Sequence, residues 1–385
     1  MCIAAGACSS SPWVDAVRIA IASDWFAPRR GGIETQLFQL ADRLGRAGHD
    51  VDVITSTRDA ATAAAFHVRP LRLVQMPVTH VVVSPFILGA LKQDLSRGYD
   101  VVHAHVSVVS PVGYSAAAVA RGLGLPTVLT FHSVLRHKRR LLRAADVISN
   151  GALSGSRVIW SAVSQRVAGQ VTQALPAAAV RVLPNAIDLA FWRASDPTPS
   201  TAPRSEIHLV STMRLHRKKR PRQLVAAFAR AASRAKVRCR LSIVGDGPER
   251  EAIERALRAA ALPPEACVEL LGWRSPDELR RLYGGAHGFM LASERESFGI
   301  AALEARAAGL PVIALRQSGS SEFLAHDANA MLCDDDAGLE TAMERFLTDG
   351  ALRERLAASR SPLDKYDWSC VLVEHERVYG DAMTS

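Results

Sequence analysis

No Cys-x-x-Cys pair occurs in the chain; Cys2, Cys8, Cys239, Cys267, Cys333 and Cys370 are scattered over 385 residues. That spacing suggests neither a disulfide framework nor a zinc site, and a reducing cytosol fits it best. Long apolar runs are missing too. The most apolar region, Val81 to Leu91, is broken by Pro85 and falls far short of the ~20 residues that cross a bilayer, so no transmembrane anchor is expected. The first 15 residues lack the basic start and apolar core of a secretory signal, and residues 1–16 read as a disordered extension. Aromatics are only 6% of the chain and none interleave with its basic runs, so stacking on nucleic-acid bases is not expected. A complete dinucleotide fingerprint is absent as well. Gly245-Asp246-Gly247-Pro248 lies in the second half of the chain, outside a first βα turn, and an NAD site is not expected.

What is present is a large apolar fraction, 48%, enough for two or more domains with extensive cores. The net charge of +9 and pI of 9.6 permit contact with an anionic membrane surface. Charge concentrates in two runs, Arg136 to Arg140 and His216 to Arg220.

The chain opens with an apolar strand, Val17 to Ala22, and a loop holding Pro28 and Gly31-Gly32. Ile33, Leu37, Leu40 and Leu44 then share one helical face, and Gly48-His49 ends that helix before a second strand, Val51 to Thr55. This is a βαβ unit whose glycines would let the backbone approach a phosphate or sugar. Val101 to His105 and Thr127 to Ser133 read as further strands with His103, His105 and His132 near their C-terminal ends, where open α/β sheets place functional groups. His132 is the candidate for catalysis; the histidines lack a third zinc ligand at suitable spacing. Residues 194–204, rich in Pro, Ser and Thr, read as a linker between residues 17–193 and 205–366, with a final docking helix over residues 367–385.

The second half repeats the pattern: strand Ile207 to Ser211, basic loop Arg214 to Arg220, helix Arg222 to Ser233 and strand Cys239 to Val244. Ser275-Pro276-Asp277-Glu278 has the residues of a helix start, and Asp334-Asp335-Asp336 reads as a helix N-terminal cluster more readily than as a metal site. Between these, Gly288 to Ala292 is a buried-strand pattern, and Ile300, Leu303 and Ala307 follow at helical spacing. Glu296 stands just before that helix and Glu304 roughly two turns into it, so the two carboxylates could hold two hydroxyl-bearing parts of one elongated ligand.

With these residues in place the chain resembles, from about Val17 to Tyr379, the retaining GT4 family of glycosyltransferases. The resemblance implies a GT-B fold, two Rossmann-like α/β domains facing across a cleft, and transfer of a hexose or N-acetylhexosamine from a nucleotide-diphosphate sugar to an acceptor hydroxyl. It implies that Glu296 binds the transferred sugar and Glu304 the ribose, that Arg214 and Lys219 neutralise the diphosphate, and that His132 lies at the sugar's reacting face. Gly31 and Gly32 match the loop near the donor phosphate. Trp273 and Arg274 fall in the segment that holds the nucleobase, and Ser297, Phe298, Gly299 and Ile300 complete the donor loop. No metal or other cofactor is implied, and the nucleotide sugar is a co-substrate. The opening, with Asp24, Pro28, Gly31 to Glu34 and Gly48-His49, is most similar to members that glycosylate phosphatidylinositol or other lipids, so a lipid-linked acceptor and a cytoplasmic protein peripheral to an anionic membrane are expected. Within the fold an epimerase or phosphorylase is the alternative, and outside it a non-catalytic membrane-associated subunit. Arg220 stands where the family commonly has glycine, and Ser320 where it has Ile or Val.

Overall fold

The computed structural model describes residues 15–71, 86–135, 158–175, 179–193, 206–259, 262–359 and 362–385. The first 14 residues, the basic run from Arg136 and residues 194–204, on which the expectations of an extension, a membrane contact and a linker rest, lie outside the described residues. Two compact units emerge, Met1–Ala186 with Trp368–Ser385, and Ile187–Asp367.

The first unit is built on a seven-stranded parallel sheet in the order β3-β2-β1-β4-β5-β6-β7. Its strands are β1 (Arg18–Ser23), β2 (Asp50–Thr55), β3 (His67–Pro70), β4 (Val101–Val106), β5 (Thr127–Phe131), β6 (Val158–Ala162) and β7 (Val180–Val182). Alternate residues of β1 serve opposite faces, as a strand's period of two requires. Ile19 and Ile21 pack with Leu37, Leu40 and Leu44 of α1 (Gly32–Arg46), whereas Ala20 and Ala22 pack with Leu91 of α2 (Ile87–Leu95) and Val112 of α3 (Pro111–Gly122). Burial on both faces explains why these strands read as unbroken apolar runs.

The C-terminal helix, Trp368–Thr384, lies on the first face: Trp368, Val371, Val378, Tyr379 and Ala382 join its core. This is the docking expected of the tail. The domain division differs from the sequence reading, falling between Ala186 and Ile187 rather than after residue 193. The reason is packing: Trp192 sits against Tyr283, Arg280 lies over Phe191, and the Leu189 amide donates to Asp367, all within the second unit.

In the second unit six parallel strands follow the order β10-β9-β8-β11-β12-β13. They are β8 (Ile207–Thr212), β9 (Cys239–Val244), β10 (Ala266–Gly272), β11 (Gly288–Leu291), β12 (Val312–Leu315) and β13 (Ala330–Cys333). Each sheet thus reverses its strand order beside its first strand, between β1 and β4 in one unit and between β8 and β11 in the other. In open α/β sheets that switch point, at the C-terminal strand ends, is where ligands bind. The expected capping box forms, with Ser275 accepting from the Glu278 amide and Glu278 accepting from the Ser275 amide at 2.7 Å. Cys239, Cys267 and Cys333 are free thiols, but Cys370 is disulfide-bonded, which its isolated spacing gave no reason to expect. Among the described residues no helix is long and apolar enough to cross a membrane.

Candidate active site

Arg214 emerges two residues after β8, at the second unit's switch point. Its side chain is exposed and pairs with no acid among the described residues. The chain then tightens into a 3-10 turn, Arg217–Lys219, opened by His216, whose Nδ1 accepts from the Lys218 amide at 3.2 Å. Two glycines of the Gly245-Asp246-Gly247 segment make this turn's seat. A Cβ on Gly245 would stand 1.9 Å from the Met213 carbonyl oxygen and one on Gly247 2.5 Å from that of Leu215. The Leu215 amide meanwhile donates to the Asp246 carbonyl at 2.9 Å. These glycines therefore support the basic loop, a role not visible in their spacing.

Lys219 projects from the turn so that Nζ lies 2.6 Å from Glu296 Oε2. Glu296 itself, only 8% exposed, is fixed from behind: its carbonyl accepts from the Gly319 amide at 3.0 Å. The next residues pack as closely. A Cβ on Gly319 would meet the Ser297 carbonyl at 2.2 Å, and Gly299 takes φ 95°, a left-handed value that favours glycine, just before the helix Ile300–Ala307. A Cβ on Gly299 would stand 3.0 Å from Ser320 Cβ, so the small serine suits this backbone approach. Phe298 anchors the loop, fully buried against Phe323 and Tyr366.

Arg220, in the family's glycine position, keeps the left-handed backbone with φ 58°. Its guanidinium offsets that strain by pairing with Glu294 at 3.0 Å and, in a fork, with Asp336 at 2.6 and 2.8 Å. The aspartate triplet is consumed in similar ways: Asp335 caps the following helix by accepting from the Gly338 amide, and Asp334 pairs with Arg316.

Glu304 lies on the helix Ile300–Ala307, and its carboxyl forms no hydrogen bond or ion pair among the described residues. Burial alone pushes its pKa up to about 8. Its charge adds to the burial that raises the pKa of fully buried Tyr283, whose hydroxyl donates to Thr212 at the end of β8. A desolvated carboxyl without a protein partner is suited to accepting from hydroxyls of a ligand. Trp273 and Arg274 follow the end of β10, on the same edge of the sheet. Trp273 is 47% exposed, and among the described residues Arg274 reaches its neighbour's carbonyl and, at 3.8 Å, Glu278.

In the first unit Gly31 and Gly32 start α1, with Arg29 paired to Glu34 at 3.2 Å beside them. Asp24, at the exit of β1, accepts from the amides of Val112 and Gly113 at 3.0 and 3.3 Å and so caps α3; burial nonetheless raises its pKa to about 6. His132 follows β5, and its Nε2 lies 2.9 Å from His105 Nδ1. Burial lowers its pKa to about 3, so its ring is neutral near pH 7.

Each expected residue therefore stands at a sheet's C-terminal edge: Arg214, Lys219, Trp273, Arg274, Glu296, Ser297, Phe298, Gly299, Ile300 and Glu304 in the second unit, Gly31, Gly32 and His132 in the first. A Rossmann-like pair of parallel-sheet domains with cations and carboxylates at the switch point defines the class of GT-B glycosyltransferases. Model matches agree: residues 30–191 match glycosyltransferase family 4 and residues 194–360 match glycosyl transferases group 1. The chain belongs to the GT4 glycosyltransferases.

Among curated relatives, the phosphatidylinositol N-acetylglucosaminyltransferase gpi3 subunit of Schizosaccharomyces pombe is 28% identical, over 93% of this chain and 79% of its own. The D-inositol 3-phosphate glycosyltransferase of Acidothermus cellulolyticus is also 28% identical, over 92% and 86%. Similar solved structures include the sucrose-phosphate synthase of Thermosynechococcus elongatus, with TM-score 0.72, 20% identity and coverage of 95% and 98%. Another is HepE of Anabaena in complex with UDP and glucose, with TM-score 0.70, 17% identity and coverage of 96% and 100%.

Proposed function

We propose that the chain transfers a hexose or N-acetylhexosamine, with retention, from a nucleoside-diphosphate sugar to a hydroxyl of a lipid-linked or inositol-bearing acceptor. The observation that carries this reading is the Lys219–Glu296 pair at the second unit's switch point, on the same loop as Arg214, which pairs with no acid among the described residues. Arg214 and Lys219 would meet the charge that grows on the diphosphate as it leaves, Glu296 would accept from hydroxyls of the sugar, and Glu304 would accept from the ribose. No metal is called for in this scheme. In the retaining step the bond from the anomeric carbon to the phosphate oxygen breaks while the acceptor oxygen bonds to the same face. The acceptor proton passes to the departing phosphate oxygen, so no separate general base is needed. Both relatives, a phosphatidylinositol N-acetylglucosaminyltransferase subunit and a D-inositol 3-phosphate glycosyltransferase, support the acceptor class. Product analysis with labelled UDP- and GDP-sugars and phosphatidylinositol tests the reading; release of a free sugar phosphate or an epimerised donor would refute it.

The carboxylates should separate by function. Glu296→Ala should abolish most turnover while leaving UDP or GDP affinity nearly unchanged, whereas Glu304→Gln should weaken that affinity. Ribose hydroxyls favour the ionised form of Glu304, whose pKa is about 8. Affinity in titration calorimetry should therefore tighten between pH 6 and 8, by about tenfold per unit at most, beyond the phosphate's own titration. Parallel pH curves for the native protein and Glu304→Gln would contradict this.

We propose further that the chain meets an anionic membrane through residues 134–143, on the composition of the basic run with Val134, Leu141 and Leu142 beside it; Leu135, at 3% exposure, is buried and takes no part. Sedimentation at low salt should show binding to vesicles containing phosphatidylserine and none to phosphatidylcholine vesicles. Equal recovery in both supernatants would remove the membrane from the proposal.

A further inference from the structure

We infer that His105 is a positioning residue that holds His132 in its Nδ1–H form, so that His132 presents a hydrogen-bond donor to its ligand. The inference rests on the function proposed above only for what that ligand is, an oxygen of the sugar donor; the tautomer follows from the first unit alone.

β4 places His103 and His105 on one side of its sheet, two residues apart, and β5 delivers His132 beside them. The His132 backbone is pinned by its amide, which donates to the Val106 carbonyl at 2.8 Å. His103 is held at both nitrogens, Nδ1 2.8 Å from the Tyr379 hydroxyl and Nε2 2.7 Å from Thr130 Oγ1. The His105 ring lies against it, tilted by 35° with centroids 3.9 Å apart, and its Nδ1 meets His132 Nε2 at 2.9 Å. The titratable groups facing this pair are His103 and His132 on their strands and His375 on the C-terminal helix, with Tyr379 behind His103. No carboxylate bonds to either ring among the described residues, and both rings are uncharged near neutral pH.

Two neutral rings joined by one hydrogen bond share one proton at the contact, and the question is which ring supplies it. His105 Nε2 decides. That atom is buried, and it has no hydrogen-bond partner among the described residues. If His105 accepted at Nδ1, its proton would have to sit on Nε2 as a buried N–H without an acceptor, the rarest kind of orphan in folded proteins. If His105 donates from Nδ1, Nε2 is left as a bare lone pair, the lesser cost. His132 Nε2 is then the acceptor, and its own proton resides on Nδ1. That nitrogen has no partner among the described residues and is not a buried orphan, so it is the atom left for a ligand oxygen. His132 thereby acts as a donor and not as a base.

Nitrogen-15 NMR of the full chain labelled at histidine reads the tautomer without turnover. At pH 7 His132 should show a protonated Nδ1 and a bare Nε2. His105→Asn, whose Nδ2 replaces the Nδ1 donor, should keep that pattern and stay within about threefold of native kcat. His105→Leu should release His132 into a mixture of tautomers and lower kcat by ten- to fiftyfold with little change in donor KM. A native His132 protonated at Nε2 would overturn the inference, as would a His105→Leu protein that folds and keeps both the pure Nδ1–H form and native kcat. A native protein with the expected tautomer that transfers no sugar would refute the proposed function and leave the His105 assignment standing.

Discussion

A Lys219→Met protein should lose about 10²–10³-fold in kcat/KM while its thermal midpoint moves by only a few degrees. The size follows from what the cation does in the proposed reaction: charge appears on the leaving diphosphate, and one preorganised donor aimed at such charge supplies roughly 3 kcal/mol. An interaction made chiefly in the transition state lowers kcat and kcat/KM together, and that joint loss is the signature to look for. Stability should respond weakly because the ammonium is one-third exposed, and pairs at such positions contribute little to folding. Methionine keeps most of the aliphatic stem in place. Glu296 loses its cation in this variant, so part of the loss will come from an inner carboxylate that no longer sits ready for the sugar's hydroxyls. Arg222→Met is the matched control: Arg222 begins the adjoining helix and pairs with Glu249 at 3.1 Å, yet has no place in the proposed chemistry. Its activity should stay within about twofold. A Lys219→Met enzyme within threefold of native kcat/KM would end the assignment.

Much of this site was legible because its signals are local. Glu296 and Glu304 are spaced by strand, loop and helix in one continuous segment, and Arg214 with Lys219 belongs to the corresponding segment after the first strand of the same sheet. Buried parallel strands announce themselves as apolar runs, so both sheets could be anticipated. What escaped the sequence depends on residues distant along the chain. Nothing in the spacing of Gly245 and Gly247 reveals that the Met213 and Leu215 carbonyls pass under them, since that contact exists only once β8 and β9 pair. Arg220 looked like a disruption where glycine is usual, but an ion pair with Asp336, 116 residues later, lets arginine hold the left-handed turn. The domain division was placed too late for a related reason. Composition marks where the chain becomes rich in Pro and Ser, whereas the true division is set by Trp192 and Leu189 finding partners at Tyr283 and Asp367. His132 was visible as a strand-end histidine; the company of His105, His103 and His375 was not, because it is assembled from two strands and a helix some 240 residues further on.

That histidine cluster should make the first unit acid-labile well above the range in which carboxylates titrate. Burial lowers the pKa of His132 to about 3 and of His375 to about 4, while an unfolded histidine titrates near 6.5. A depressed folded-state value means that the stabilising contribution is complete above pH 6.5 and is lost as pH falls toward the folded value, because the unfolded chain takes up protons that the folded one refuses. Between pH 7 and 5 these two rings together cost about 4 kcal/mol. His103 and His105, whose pKa values burial also drives down, act in the same direction. Asp24 opposes them: with its pKa raised to about 6, its contribution is largest at low pH and is lost as pH rises through 6, which offsets roughly 1 kcal/mol over the same interval. The balance remains destabilising, and calorimetry should show the first unit's transition falling by about 10 °C from pH 7 to 5. His375→Gln isolates the cause. Glutamine retains a side-chain donor for the Val371 carbonyl, which His375 Nδ1 contacts at 2.8 Å, but cannot take up a proton. The pH 7-to-5 loss in that variant should shrink by about 2 kcal/mol. Native and variant transitions that fall in parallel across this interval would show that the buried rings do not govern acid unfolding.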